Sequence, residues 1–169
     1  MSTITQTTDK TTLTPPGHQT IALILWLVLC LSASGTAVFV STGDWYASLH
    51  KPEWNPPAWI FGPVWTLLYI MMGVAAWLVW REGGWKTQTL PLSLFLVQWL
   101  FNVLWTPLFF GAHLIGFAFA EILMLWLALA ATVVCFYRVN QRAGNLLIPY
   151  LAWVSFAAVL NFTMWHLNP

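Results

Sequence analysis

The chain has 169 residues, of which 59% are hydrophobic and 7% charged, with a formal net charge of +1. A soluble domain carries about 25% charged residues, so this composition excludes a monomer with an ordinary aqueous surface and names lipid as the solvent. The near-zero charge also leaves no basic field for nucleic acid, and no stretch is long enough for a separate soluble domain, so function is expected from inside a helical bundle.

Residues 1–19 form a Thr-rich polar tail ending near Pro15 and Pro16; it lacks the apolar surface to fold alone and is read as disordered. The membrane domain is expected over 20–169. Its first span runs from Thr20 to Val40. Ile21–Leu31 followed by Ser32-Ala33-Ser34-Gly35 imitates a cleaved signal peptide. Asp9 offsets Lys10, however, and apolar character resumes to Val40, so the segment is read as a retained helix.

The loop from Ser41 to Pro56 is the longest and holds Asp44-Trp45-Tyr46 and Lys51-Pro52-Glu53-Trp54-Asn55-Pro56. Trp and Tyr favour the headgroup region in any membrane protein, but Pro52, Pro56 and Pro57 fix the chain path and predict a lid over the mouth of the bundle. Further spans are expected at Pro57–Trp80, Leu90–Phe110, Ile115–Tyr137 and Leu146–Trp165. Runs such as Leu123-Met124-Leu125-Trp126-Leu127 do not alternate, which excludes barrel strands. The fold class is therefore an all-α membrane protein, a five-transmembrane-helix bundle. Pro63 and Pro107 free the carbonyls of Trp59 and Val103 and predict a kink or local widening. Lys10, Arg81, Lys86, Arg138 and Arg142 fall on the side of the N-terminus and Lys51 on the other, which places the N-terminus in the cytoplasm if the host is an inner membrane.

Polar side chains are costly in lipid and mark the bundle interior. On the third span Gln98, Asn102, Trp105 and Thr106 share one helical face, equally suited to interhelical hydrogen bonds and to ligand contact. On the second, Phe61, Trp65, Tyr69 and Met72 align; on the fifth, Trp153, Ala157 and Asn161, where the small Ala157 leaves a gap beside an indole. Three aromatic stripes suit a flat, conjugated, mostly apolar ligand. Glu121 must lie within a span and is expected to point inward, protonated or in an interhelical hydrogen bond; no second intramembrane ionisable group exists for a proton relay. His18, His50, His113 and His166 lie outside spans or at their edges, without metal-ligand spacing, and no Ser or Cys has a base nearby, so neither a metal centre nor a hydrolytic site is expected. Cys30 and Cys135 read as apolar packing residues. Ala33 with Ala37, and Gly116 with Ala120, allow close helix approach within one chain or in a homodimer.

Trp45-Tyr46 through Lys51-Pro52-Glu53-Trp54-Asn55-Pro56-Pro57 to Gly62-Pro63-Val64-Trp65-Thr66-Leu67-Leu68-Tyr69 resembles the hallmark region of the translocator protein family, the tryptophan-rich sensory proteins or peripheral benzodiazepine receptors. Gln98-Trp99 to Asn102, Trp105-Thr106-Pro107 and Pro149-Tyr150-Leu151-Ala152-Trp153 through Phe156-Ala157 to Asn161 extend the likeness, and the chain holds 13 tryptophans. The resemblance implies a five-helix bundle, usually a homodimer, with a pocket beneath the first loop for porphyrins such as protoporphyrin IX, haem-related tetrapyrroles, sterols and benzodiazepine-type ligands. It carries pocket roles to Tyr46, Trp65, Asn102, Trp105, Trp153 and Ala157, and places Glu121 where the family commonly has an acid. It implies no cofactor beyond the porphyrin ligand and no catalytic residue, unless Trp65 and Trp153 support the light-dependent porphyrin breakdown attributed to some bacterial relatives. The sterol motif near the end of the fifth helix is broken here, where the run reads Leu160-Asn161-Phe162-Thr163-Met164-Trp165-His166, and only a loose match survives at Val134, Tyr137 and Arg142. Tetrapyrrole is thus the expected ligand. A porphyrin photo-oxidase and a scaffold acting through protein partners are the alternatives.

Overall fold

A computed structural model describes residues 16–38 and 43–169. The tail expected to be disordered lies outside these as far as residue 15. Within them the order is α1 (Pro16–Ser32), α2 (Gly35–Val38), α3 (Gly43–Ser48), α4 (Ala58–Trp80), α5 (Gly84–Thr87), α6 (Thr89–Thr106), a π turn (Pro107–Gly111), α7 (Ile115–Val139) and α8 (Gln141–Leu167). Among the described residues, four helices are long and apolar enough to cross a membrane: Ala58–Trp80, Thr89–Gly111, Ile115–Val139 and Gln141–Leu167. A shorter apolar helix, α1, accompanies them.

The first span departs most from expectation. Helix begins at Pro16, inside the stretch assigned to the tail, where proline is tolerated because its missing N–H needs no intrahelical acceptor. It then breaks at Ala33-Ser34 instead of running unbroken toward Val40. Ser32, Ser34 and Thr36 each donate a hydroxyl to the carbonyl three residues back, at 2.7, 2.6 and 2.9 Å, which competes with the helical ladder at this point. Residues 39 and 40 of the expected span lie outside the described residues.

The last span also starts earlier than expected, at Gln141 instead of Leu146. Asn140 caps it, its Oδ1 accepting from the backbone N–H groups of Arg142 at 3.0 Å and Ala143 at 3.3 Å. That cap lets α8 follow α7 after a single extended residue. Pro107 has the predicted widening effect: the Ala112 N–H donates to the Pro107 carbonyl, five residues back, at 2.8 Å. Pro63 is carried within an uninterrupted α4.

Packing follows the ring α1–α4–α8–α7–α6, with α2 touching α6. Between α1 and α4 the backbones come close at Gly73, where a Cβ would stand 3.0 Å from the Leu27 Cα. Gly116 faces Trp165 of α8 within the chain, the indole Nε1 being 2.9 Å from where a Cβ would sit, so that half of the small-residue pair serves internal packing. The core comprises Met72, Ala75, Ala76, Val79, Leu92, Phe95, Leu129, Phe136 and Leu147, all fully buried. This solid half lies toward one end of the bundle. Toward the other, the helices border a cavity.

Candidate functional site

Three side chains cross the bundle beneath that void. The Tyr69 hydroxyl donates to Asn102 Oδ1 at 3.0 Å, and Asn102 Nδ2 donates to the Tyr150 hydroxyl oxygen at 2.9 Å. This chain ties α4, α6 and α8, and all three residues are buried. A second link sits higher: Trp105 Nε1 donates to Asn161 Oδ1 at 3.1 Å, and Asn161 Nδ2 donates to the Ile115 carbonyl at 3.0 Å, joining α6, α8 and the start of α7. Interhelical bonding and a cavity-lining position thus coexist on the third-span face.

Above the tyrosines opens a cavity of about 450 Å³, within the size range of about 300–1,000 Å³ usual for small-molecule sites. Tyr46, Trp65, Asn102, Trp105, Trp153 and Ala157 all line it. Trp65 stacks on Tyr69 with centroids 5.4 Å apart and meets Trp153 edge to face at 6.5 Å and 88°. Trp105 stacks on Phe109 at 5.0 Å. The indole Nε1 of Trp153 is buried and has no hydrogen-bond partner among the described residues, so this wall keeps an unused donor. The remaining lining is overwhelmingly apolar, which favours rings over charged solutes.

The first loop carries a short helix and borders the cavity through Tyr46, Asn55 and Pro56. Helix α3 brings Tyr46 against Phe110 at 5.3 Å, and Trp45 lies flat on His113 at 3.9 Å and 10°. Lys51 Nζ donates to the carbonyls of Ala47 and Leu49 and stands 4.6 Å from the Tyr46 ring, closing the segment on itself. Burial raises the Tyr46 phenol above its ordinary value of 10.0, so it stays a neutral group at physiological pH. Asn168, next to the last residue, pairs with His50 in both directions: the His50 N–H donates to Oδ1 at 2.9 Å, and Nδ2 donates to the His50 carbonyl at 2.9 Å. A side-chain amide here imitates a paired strand. Replacing Asn168 with alanine is expected to speed amide exchange at His50 by roughly fivefold, as the loss of about 1 kcal/mol of local bonding would. An unchanged exchange rate would show that the lid closes without its latch.

Two sequence-selected residues lie elsewhere. Gln98 is fully buried a turn below Asn102, outside the cavity wall, and neither of its amide atoms has a partner among the described residues. Glu121 also lies outside the wall; both carboxylate oxygens are buried without a hydrogen-bond partner among the described residues, so of its two expected states the interhelical bond is not the one seen. Met72, grouped with the second-span stripe, belongs to the solid core. Sequence reasoning missed Phe109 and Phe110, which the π turn swings into the wall, and Ala33 and Ser34, which reach it because α1 breaks there. The loose sterol pattern of Val134, Tyr137 and Arg142 straddles the turn at Asn140 and so spans two helices.

Comparison with known proteins matches residues 20–166 to the TspO/MBR family. The chain is 46% identical over 126 residues to the translocator protein of Homo sapiens, covering 73% of this chain and 75% of that one. It is 42% identical over 153 residues to the tryptophan-rich protein TspO of Chlorobaculum tepidum, covering 89% and 96%. To the tryptophan-rich sensory protein of Cereibacter sphaeroides it is 38% identical over 145 residues, covering 86% and 90%. The family match spans the helices that wall the cavity and carry the apolar faces, and the chain is an integral membrane protein that belongs to the TspO/MBR family.

Proposed function

We propose that the chain binds a tetrapyrrole of the protoporphyrin IX or haem type and acts on it as a sensor or transporter. The observation that carries this reading is one lidded void whose walls are indole and phenyl faces from α4, α6 and α8, with Trp65 and Trp153 at right angles across it. A flat macrocycle stacks on one ring face while a perpendicular indole edge meets its rim. Asn102 and the neutral Tyr46 phenol supply polar contacts, and the free N–H of Trp153 supplies a donor for an acceptor on the ligand. The fifth crossing is made in this reading by α1 together with α2. Arg81, Lys86, Arg138 and Arg142 then face the cytoplasm and Lys51 the opposite side. A homodimer is the proposed assembly.

Titrating protoporphyrin IX into detergent-solubilised protein and following the porphyrin absorption band tests the site. Saturable binding is expected, and the Trp65→Phe/Trp153→Phe double variant should bind about tenfold more weakly, the loss of roughly 0.7 kcal/mol at each ring face. Identical titrations for parent and variant would remove the named residues from the site. The closeness of the two indoles favours one further reading, light-dependent breakdown of bound porphyrin in air. Bleaching under illumination that disappears in Trp153→Phe while dark binding persists would support it, and equal bleaching in that variant would dismiss it.

A further inference from the structure

At the end of the bundle opposite the lid lies a second recess, of about 320 Å³, lined by Leu78, Arg81, Asn140, Gln141 and Arg142. It forms where the C-terminus of α4 meets the turn between α7 and α8. The Asn140 cap described above holds that turn rigid and sets Arg142 in the first turn of a 27-residue helix. There the helix dipole already presents partial positive charge, and a cation adds to it unfavourably. Arg81 comes from the other side, its guanidinium carbon 5.2 Å from the centre of the Trp77 ring. An arginine resting on an aromatic face keeps its edge N–H groups available.

The chain itself does little to neutralise this pair. Glu82 is the nearby acid, yet its Oε1 stands 4.0 Å from Arg81 Nε and 3.4 Å from Asn140 Nδ2, both at the outer limit of useful interaction, and Arg81 and Glu82 are each exposed. Arg142 has no side-chain partner among the described residues. Lys86 and Arg138 add positive charge at the same end of the bundle. Arg81 and Arg142 line one recess at a helix start, and such a pair suits a tetrahedral oxyanion, because each guanidinium fork offers parallel N–H groups and the N1 amide of the helix adds a further donor. Leu78 supplies an apolar wall beside them.

We propose that this recess binds a phosphate group, gripped by Arg81 and Arg142 with the Gln141 backbone N–H. Its position at the ends of two membrane-spanning helices puts it at headgroup depth, and Leu78 offers contact for the carbon chain of a phospholipid. Free phosphate shares the same chemistry, so the two sources are separated by experiment. The recess is remote from the aromatic cavity, and its test is independent of the porphyrin reading.

The full chain in neutral detergent is titrated with phosphatidylglycerol, phosphatidylcholine or inorganic phosphate, reading the thermal midpoint. Phosphatidylglycerol is expected to raise the midpoint saturably. Half-saturation should weaken roughly fivefold in Arg81→Gln and in Arg142→Gln, corresponding to about 1 kcal/mol each, and further in the double variant. Lys86→Gln, which removes the same charge outside the recess, should leave the titration unchanged, and Glu82→Gln should tighten it. The Arg81→Lys/Arg142→Lys pair, which keeps charge but loses the forks, serves if the glutamine variants lose their circular-dichroism helix signal, and it too should titrate more weakly. A response to inorganic phosphate alone, lost in the same variants, assigns the site to free phosphate; a response confined to phosphatidylglycerol assigns it to the lipid. With either lipid, a lysine pair or glutamine double variant that titrates like the parent, or an equal loss in Lys86→Gln, would overturn the proposal.

Discussion

Ala157→Phe is expected to weaken porphyrin binding by about a hundredfold, equivalent to about 2.8 kcal/mol, without lowering thermal stability. Ala157 stands on the same face of α8 as Trp153 and Asn161, one turn from each, and contributes wall to the cavity. A phenyl ring there projects into space that the ligand must occupy, and the cavity of about 450 Å³ offers room for it. The filled cavity gains dispersion contacts, so the melting midpoint should hold or rise. Absorption titration together with a melt distinguishes this from misfolding: lost binding with a lowered midpoint would mean that the ring had disrupted helix packing and would leave occlusion unsupported.

The opposite combination is expected at Asn102. Its amide joins two buried phenols from different helices, and Asn102→Ala should cost about 2 kcal/mol: about 0.6 kcal/mol for each interhelical bond, and about 0.7 kcal/mol for a void of roughly 30 Å³ at about 24 cal/mol per Å³. Asn102→Leu keeps the volume and isolates the polar part, so it should cost about 1 kcal/mol. Unfolding in detergent, monitored by helix signal, measures both. If alanine and leucine prove equally mild, the Tyr69–Asn102–Tyr150 chain contributes no stability and Asn102 matters only as cavity wall.

The long helices were legible because α4, α6, α7 and α8 are continuous apolar runs punctuated by Gly, Pro and polar residues. The aromatic stripes were legible too, since helical spacing fixes which residues share a face: Trp65 with Tyr69, Asn102 with Trp105, Trp153 with Ala157. Spacing does not reveal how each helix is rotated against its neighbours, and so it could not tell that Gln98 and Met72 sit below the void while Asn102 and Tyr69 form its floor. Glu121 was expected to be protonated or bonded across helices because a lone charged acid is costly in lipid, and neither of its carboxylate oxygens has a partner among the described residues. The break in α1 depends on hydroxyls competing with the backbone within an apolar run, a local effect that hydropathy averages away. The start of α8 carried a signal that polarity obscured: Asn140 ahead of Gln141-Arg142-Ala143 is a capping residue, although the stretch after it reads as a loop. The pairing of Asn168 with His50 links residues 118 apart and has no local trace.

The interruption at Ala33-Ser34 has a consequence for supply. Ser34 on one side and Ala58, Gly62 and Thr66 on the other are exposed, and all four also border the cavity, so the wall between α1 and α4 is thin at that height. A Cβ built on Gly35 or Gly62 would meet nothing within 4 Å. If the cavity holds the proposed porphyrin, a guest dissolved among the acyl chains can reach it from the side at this height, and its effective dose then follows how strongly it partitions into the bilayer. Peripheral substituents that change only that partitioning would alter occupancy without touching a single residue of the pocket.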